Sequence, residues 1–393
     1  MLNHAGSSII GALRNMVPMG ISAGKTSPIG PSCLPDWNAT KPMIINARPH
    51  VTGDISQATD PASNMLPGRA RRGDRNTPMS QSGNPAMRPM PVWYHETYTG
   101  GINRSARFPR DRYRLLRERL DDLYGTGLIH IESPEPVDRD TLLIAHEKDY
   151  VDRFLSGSLD PKEIRRIGLE PWTDAFVPRT MRIMGGAVEA LAHVTRFGGM
   201  AGNMAGGTHH SHRSFGAGYC VFNDLAICAL LARDEHGYER VAVLDLDVHQ
   251  GDGTATILEA EDGIITISVH GEKNFPFRKA ISDYDFPLPN GTGDEGYLRA
   301  VQESLAILES FSPDILLFQA GVDALEFDAL GNLEVSEDGM RIRNGMVFSC
   351  LDRRTPCVLF MGGGYSDPIE HTVDAFHDLF VAAAESNALY DSP

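Results

Sequence analysis

The chain has 393 residues, 41% of them hydrophobic and 22% charged, the balance of a folded globular protein rather than a disordered one. Its 36 Lys and Arg against 52 Asp and Glu give a formal charge of −16, which excludes a dedicated nucleic-acid binder and draws in cationic ligands such as lysine-rich tails or polyamines. No run approaches the roughly 18 apolar residues of a membrane-spanning helix. The five cysteines form no CxxC pair, so a cysteine-zinc module is excluded and a reducing compartment fits.

Composition changes near residue 90. Residues 1–90 hold 11 of the 25 prolines and nine basic residues against four acids, without helical or strand periodicity. They read as a disordered arm, with one catalytic domain over 91–393. An Arg- and Ser-containing, acid-poor arm is either an organelle transit peptide or an unstructured extension, the latter including a true start at Met87 or Met90. The expected compartment is the cytoplasm, or an organelle if the arm is a transit peptide.

From Val92 onward short apolar runs alternate with amphipathic segments. Tyr113, Leu116, Leu120 and Leu123 predict a helix over Arg110–Tyr124, followed by helices over 179–197 and Asn223–Ala232. Strands are predicted at Val241–Leu246, Ile264–Val269, Ile315–Gln319 and Cys357–Phe360. These are continuous apolar stretches, as strands covered on both faces require. The fold class is α/β, a single domain with a mainly parallel sheet flanked by helices.

Each apolar run ends in a knot of Gly, His and Asp: GGTHH over 206–210, DLDVHQGDG over 245–253, SVH over 268–270, GVD over 321–323 and MGGGY over 361–365. Ligands of open α/β sheets bind beyond the carboxyl ends of the strands, so the knots should converge on one site. Asp247 and His249, two apart on an extended segment, project from the same side and can share a cation, with Asp323 as the third ligand. Two carboxylates and one imidazole leave an open coordination position, the arrangement of a catalytic metal rather than a structural one. His209 and His210 can accept and donate protons if carboxylates fix their tautomers, and Asp245 and Asp252 are the spare acids for that. Gly206, Gly207, Gly216 and Gly218 let backbone approach closely, and Tyr365 is a natural donor to an oxyanion.

Together GGTHHSHRSFGAGYCVFND, VLDLDVHQGDG, TISVH, FQAGVD and FMGGGY resemble the zinc-dependent histone deacetylase family of the arginase–deacetylase superfamily, over about Val92 to Asp378. The HQGDG and HGEKNFPFRK segments are similar to its bacterial and class IV-like branch. The resemblance implies the arginase–deacetylase fold and zinc, or ferrous iron, on Asp247, His249 and Asp323. It implies His210 as general base and acid, His209 as electrostatic partner, Asp245 and Asp252 as orienting acids, and Tyr365 on the oxyanion. Tyr219, Phe275 and Gly218 match the acyl-lysine tunnel, and the Asp245–His249 backbone with Ser268 matches a structural potassium site. Gly251 and Leu325 stand where two-manganese relatives carry aspartates, which favours one metal. Met361 replaces the first of four glycines found in some relatives, and Glu170 is the candidate for the rim acid that grips the substrate backbone. The implied substrate is acetyl-lysine in proteins. Acetylpolyamines or other small amides, and a non-catalytic acyl-lysine reader, are the alternatives, with no direct nucleic-acid or membrane partner.

Overall fold

The computed structural model describes residues 46–47, 88–103 and 106–390. Most of the arm expected over 1–90 lies outside these residues. Asn46–Ala47 within it form a short strand, β1, paired antiparallel with Tyr284–Asp285. The other strands are β2 (Met90–Trp93), β3 (Ile129–Glu132), β4 (Met200–Asn203), β5 (Val241–Asp245), β6 (Ile264–Gly271), β7 (Tyr284–Leu288), β8 (Ile315–Gln319) and β9 (Cys357–Phe360). They form one sheet in the order β1-β7-β6-β5-β8-β9-β4-β2-β3, and every neighbour pair except β1 with β7 is parallel.

The strand sequences explain this arrangement. Every residue of β5 (VAVLD) and β8 (ILLFQ) is buried, because helices cover both faces and leave no solvated side for alternation. The helix Asp224–Asp234 is wrapped in apolar contacts. It starts where the Asn223 side chain accepts a hydrogen bond from the Ala226 amide at 2.9 Å. The helix expected over Arg110–Tyr124 is instead two, Arg112–Arg119 and Asp121–Thr126. Leu120 between them is fully buried with ψ of −3°, which tightens the turn and offsets the second helix from the first. No helix among the described residues is long and apolar enough to cross a membrane.

Sheet order positions the site. After β5 the chain builds β6 and β7 on one side, and β8 then returns to the other side of β5. The crevice at such a reversal is where open α/β sheets bind ligands. The neighbours β5, β8, β9 and β4 deliver Asp247 and His249, Asp323, Tyr365, and His209 and His210 respectively. Phe318 of β8 is fully buried beneath this group. Phe318→Ala should lower unfolding free energy by about 3–5 kcal/mol in denaturant titration, and a loss below about 1 kcal/mol would contradict a close-packed centre at β8.

Candidate metal centre and acyl tunnel

Beyond β5, Leu246 and Val248 point into the core, so Asp247 and His249 turn the other way, towards the strand-end loops. His249 Nδ1 lies 3.1 Å from Asp247 Oδ1 and 3.0 Å from Asp323 Oδ2, and the ligand atoms of the three residues all fall within 4.8 Å of one another. Backbone amides fix the carboxylates from behind: Gly363 N donates to Asp247 Oδ2 at 2.6 Å and Val248 N to Asp323 Oδ1 at 2.8 Å. All three residues are buried. Burial, with the Asp247 charge beside it, pushes the Asp323 carboxyl well above the usual carboxylate range. Burial disfavours a charged His249, yet the two carboxylates outweigh it and hold its pKa up at about 10. The pocket thus demands positive charge, and two carboxylates plus one imidazole fit zinc or another divalent ion. A Cβ on Gly363 would lie 1.9 Å from Asp323 Oδ2, so only glycine lets this backbone approach the ligands.

The tandem histidines follow β4. His209 Nδ1 donates to Asp245 Oδ2 at 2.7 Å, His210 Nδ1 donates to Asp252 Oδ1 at 2.7 Å, and their ring centroids are 4.1 Å apart. With Nδ1 committed, each ring presents Nε2, and that of His209 lies 3.8 Å from Asp247. The two rings differ electrically. Burial works against a charged His209, but Asp245 and Asp247 prevail and hold it up at about 9. Burial and then the charge of His209 push His210 down to about 4. The surroundings thus favour a proton on His209 and disfavour one on His210.

Aromatic rings stand beside this group. Phe275 stands edge-on to His210 at 4.7 Å between centroids, and Tyr219 faces Tyr365 at 5.9 Å. Gly218 has φ of +52°, and a Cβ there would meet His210 Cδ2 at 2.6 Å. Tyr219 is itself left-handed, with φ of +67°, a conformation held by hydrogen bonds that the Gly218 amide donates to Arg166 O and the Tyr219 amide to Ile167 O. Burial raises the Tyr365 hydroxyl well above its ordinary value, so it stays a donor. Glu170 is exposed, two residues beyond Gly168, whose backbone packs on the Tyr219 ring.

Four of the five knots meet here, but the one ending β6 does not. His270 is buried apart from the cavity, 3.0 Å from Ser268 Oγ, because β6 lies on the outer side of β5. Several residues that position the site escaped sequence reasoning. Asp224 accepts from Gly207 N, Thr208 N and Thr208 Oγ1 at 2.7–2.8 Å, fixing the turn before the histidines. Asp328 accepts from Tyr365 N at 2.6 Å, and His212 Nε2 lies 3.2 Å from Asp252 Oδ2. Arg343 donates to Gly321 O at 2.5 Å, securing the loop that carries Asp323 from below. The signal available for Asp224 and Arg343 was a charged residue set among apolar ones in a helix, which period analysis alone assigns to the surface.

Fold and site together define an α/β protein with a buried Asp–His–Asp group that could hold a metal ion beside two carboxylate-anchored histidines. The histone deacetylase domain model matches residues 106–379, and the chain belongs to the histone deacetylase family, a family of amide hydrolases. It is 40% identical over 299 residues to an uncharacterised protein of the cyanobacterium Picosynechococcus, covering 75% of this chain and 98% of that one. It is 30% identical over 282 residues to a histone deacetylase-like amidohydrolase of Pseudomonas aeruginosa, covering 65% of this chain and 71% of that one. The solved acetylpolyamine aminohydrolase of Burkholderia pseudomallei shares the fold, with a TM-score of 0.60, 21% identity, and coverage of 75% of this chain and 98% of that one.

Asp323→Asn removes one buried charge from the ligand set. Metal content after dialysis should fall from a full equivalent to a small fraction, and undiminished metal would contradict the assigned centre.

Proposed function

We propose that the protein hydrolyses the acetyl amide of N-acetyl-lysine in proteins. The observation that carries this reading is the convergence of the Asp247–His249–Asp323 group, two carboxylate-anchored histidines and Tyr365 around one cavity, with Tyr219 in its lining and Phe275 edge-on to His210. A zinc or ferrous ion on the three ligands would supply Lewis-acid polarisation of the carbonyl and of the attacking water. The remaining roles fall to the chain. The aromatic walls align an unbranched lysine chain and exclude bulk water. His210 Nε2, a free base on Asp252, takes the proton of the attacking water. Tyr365 donates to the carbonyl oxygen as negative charge develops there, and protonated His209 adds electrostatic support. His210 then returns the proton to the departing amine.

The backbone of Asp245–His249 runs beside Ser268, which pairs with Asp245 between β5 and β6, and would receive the structural potassium. The net charge of −16 favours a second substrate reading, acetylpolyamines or other small cationic amides.

Tyr365→Phe keeps the ring and removes the donor. Turnover of an acetyl-lysine peptide should fall roughly 10²- to 10³-fold with little change in KM. An unchanged kcat would remove Tyr365 from the reaction.

A further inference from the structure

The loops beside Phe275 and Tyr219 carry exposed arginines although the chain as a whole is acidic, with Glu272 and Glu170 the acids among them. In the loop following β6, Phe275 faces His210, and Phe277 packs edge-on against Phe275 at 6.4 Å, one ring further out. Phe277 is 90% exposed, while the other exposed large hydrophobics among the described residues lie between 38% and 51%. Three cations share this loop, and two are committed. Lys273 lies 3.2 Å from Glu272, and Lys279 donates to the carbonyl of Pro276 at 2.8 Å and to that of Asn274. Arg278, beside Phe277, is exposed and has no partner among the described residues. The wall on the Tyr219 side adds two more exposed arginines. Arg107 lies within electrostatic reach of Tyr219, and Arg166 accepts the Gly218 amide at its carbonyl while its guanidinium covers Phe215 at 4.5 Å.

Resting on the deacetylase reading above, we infer that this rim selects acetyl-lysine within protein segments that carry acidic and apolar neighbours. A flanking carboxylate meets Arg278 or Arg107, and an apolar side chain lies on Phe277. An acetylpolyamine, cationic along its length, meets the same arginines with repulsion. The overall charge of −16 pulls the other way, but from a distance. At physiological salt charges are screened beyond about 8 Å, so the groups at the mouth decide which substrate docks.

The test is direct binding to metal-loaded full-length Tyr365→Phe protein, whose turnover is slowed. Its ligands are two acetyl-lysine peptides identical except for Asp/Glu or Lys/Arg flanks, and an N-acetylated polyamine. The acidic peptide should bind roughly three- to tenfold tighter than the basic one at physiological salt, with the gap closing towards molar salt. Arg278→Glu should reverse the order of the two peptides, a change of sign that a general loosening of the loop would not produce. Phe277→Ala should weaken both about threefold and leave their ratio intact. Equal binding of the two peptides, no reversal in Arg278→Glu, or tightest binding of the polyamine would each overturn the inference. Wild-type protein that releases no acetate from unflanked N-acetyl-lysine amide, while the charge preference in binding persists, would sink the deacetylase reading and leave the rim inference standing.

Discussion

Two aspartates, Asp247 and Asp323, lie buried side by side at the centre of the sheet, and the rest of the site is arranged around the cost of placing them there. An isolated carboxylate in an apolar interior is costly by many kcal/mol, and two that face each other cost more. Neutral dipoles offset part of this. The Gly363 and Val248 amides each hold one carboxylate oxygen, leaving others turned towards His249. The remainder calls for a cation, which a divalent ion on these ligands would supply. The same constraint accounts for the glycines of the β9 loop, because a Cβ at Gly363 would collide with both aspartates.

The negative cluster also sets apart the two histidines, which are chemically identical in sequence. His209 lies nearer Asp247 and is anchored by Asp245, so it holds its proton. That charge, together with burial, keeps the proton off His210. Two adjacent rings pushed in opposite directions are suited to different tasks, the one to electrostatic support and the other to accepting a proton. Second-layer groups preserve the arrangement: Asp224 beneath the histidine turn, Asp328 on the Tyr365 amide, and Arg343 under the Asp323 loop.

Much of this was legible in the sequence because the chemistry sits at strand ends. The apolar runs of β5, β8 and β9 are punctuated by Asp, His and Gly in patterns with few structural uses, and Asp247, His249 and Asp323 of two of these knots lie together beyond the strand ends. Strands without such a run were hidden. Met200–Asn203 of β4 reads MAGN, too short and too rich in small residues to signal a strand, yet burial on both faces makes it one. Met90–Trp93 includes a proline, and Ile129–Glu132 is the edge strand β3 with only Ile129 buried. The lateral order β5-β8-β9-β4 was also absent from the sequence, since it depends on which helices cross which face. Without that order, nothing separated the β6 knot from the four that converge.

The most direct test of the account is acetate release from an acetyl-lysine peptide and an acetylpolyamine side by side, with zinc and after chelation, using His210→Ala as control. The account predicts faster peptide turnover that disappears on chelation, returns with metal and is lost in His210→Ala. Turnover that survives chelation or the loss of His210, or release from the polyamine alone, would contradict it.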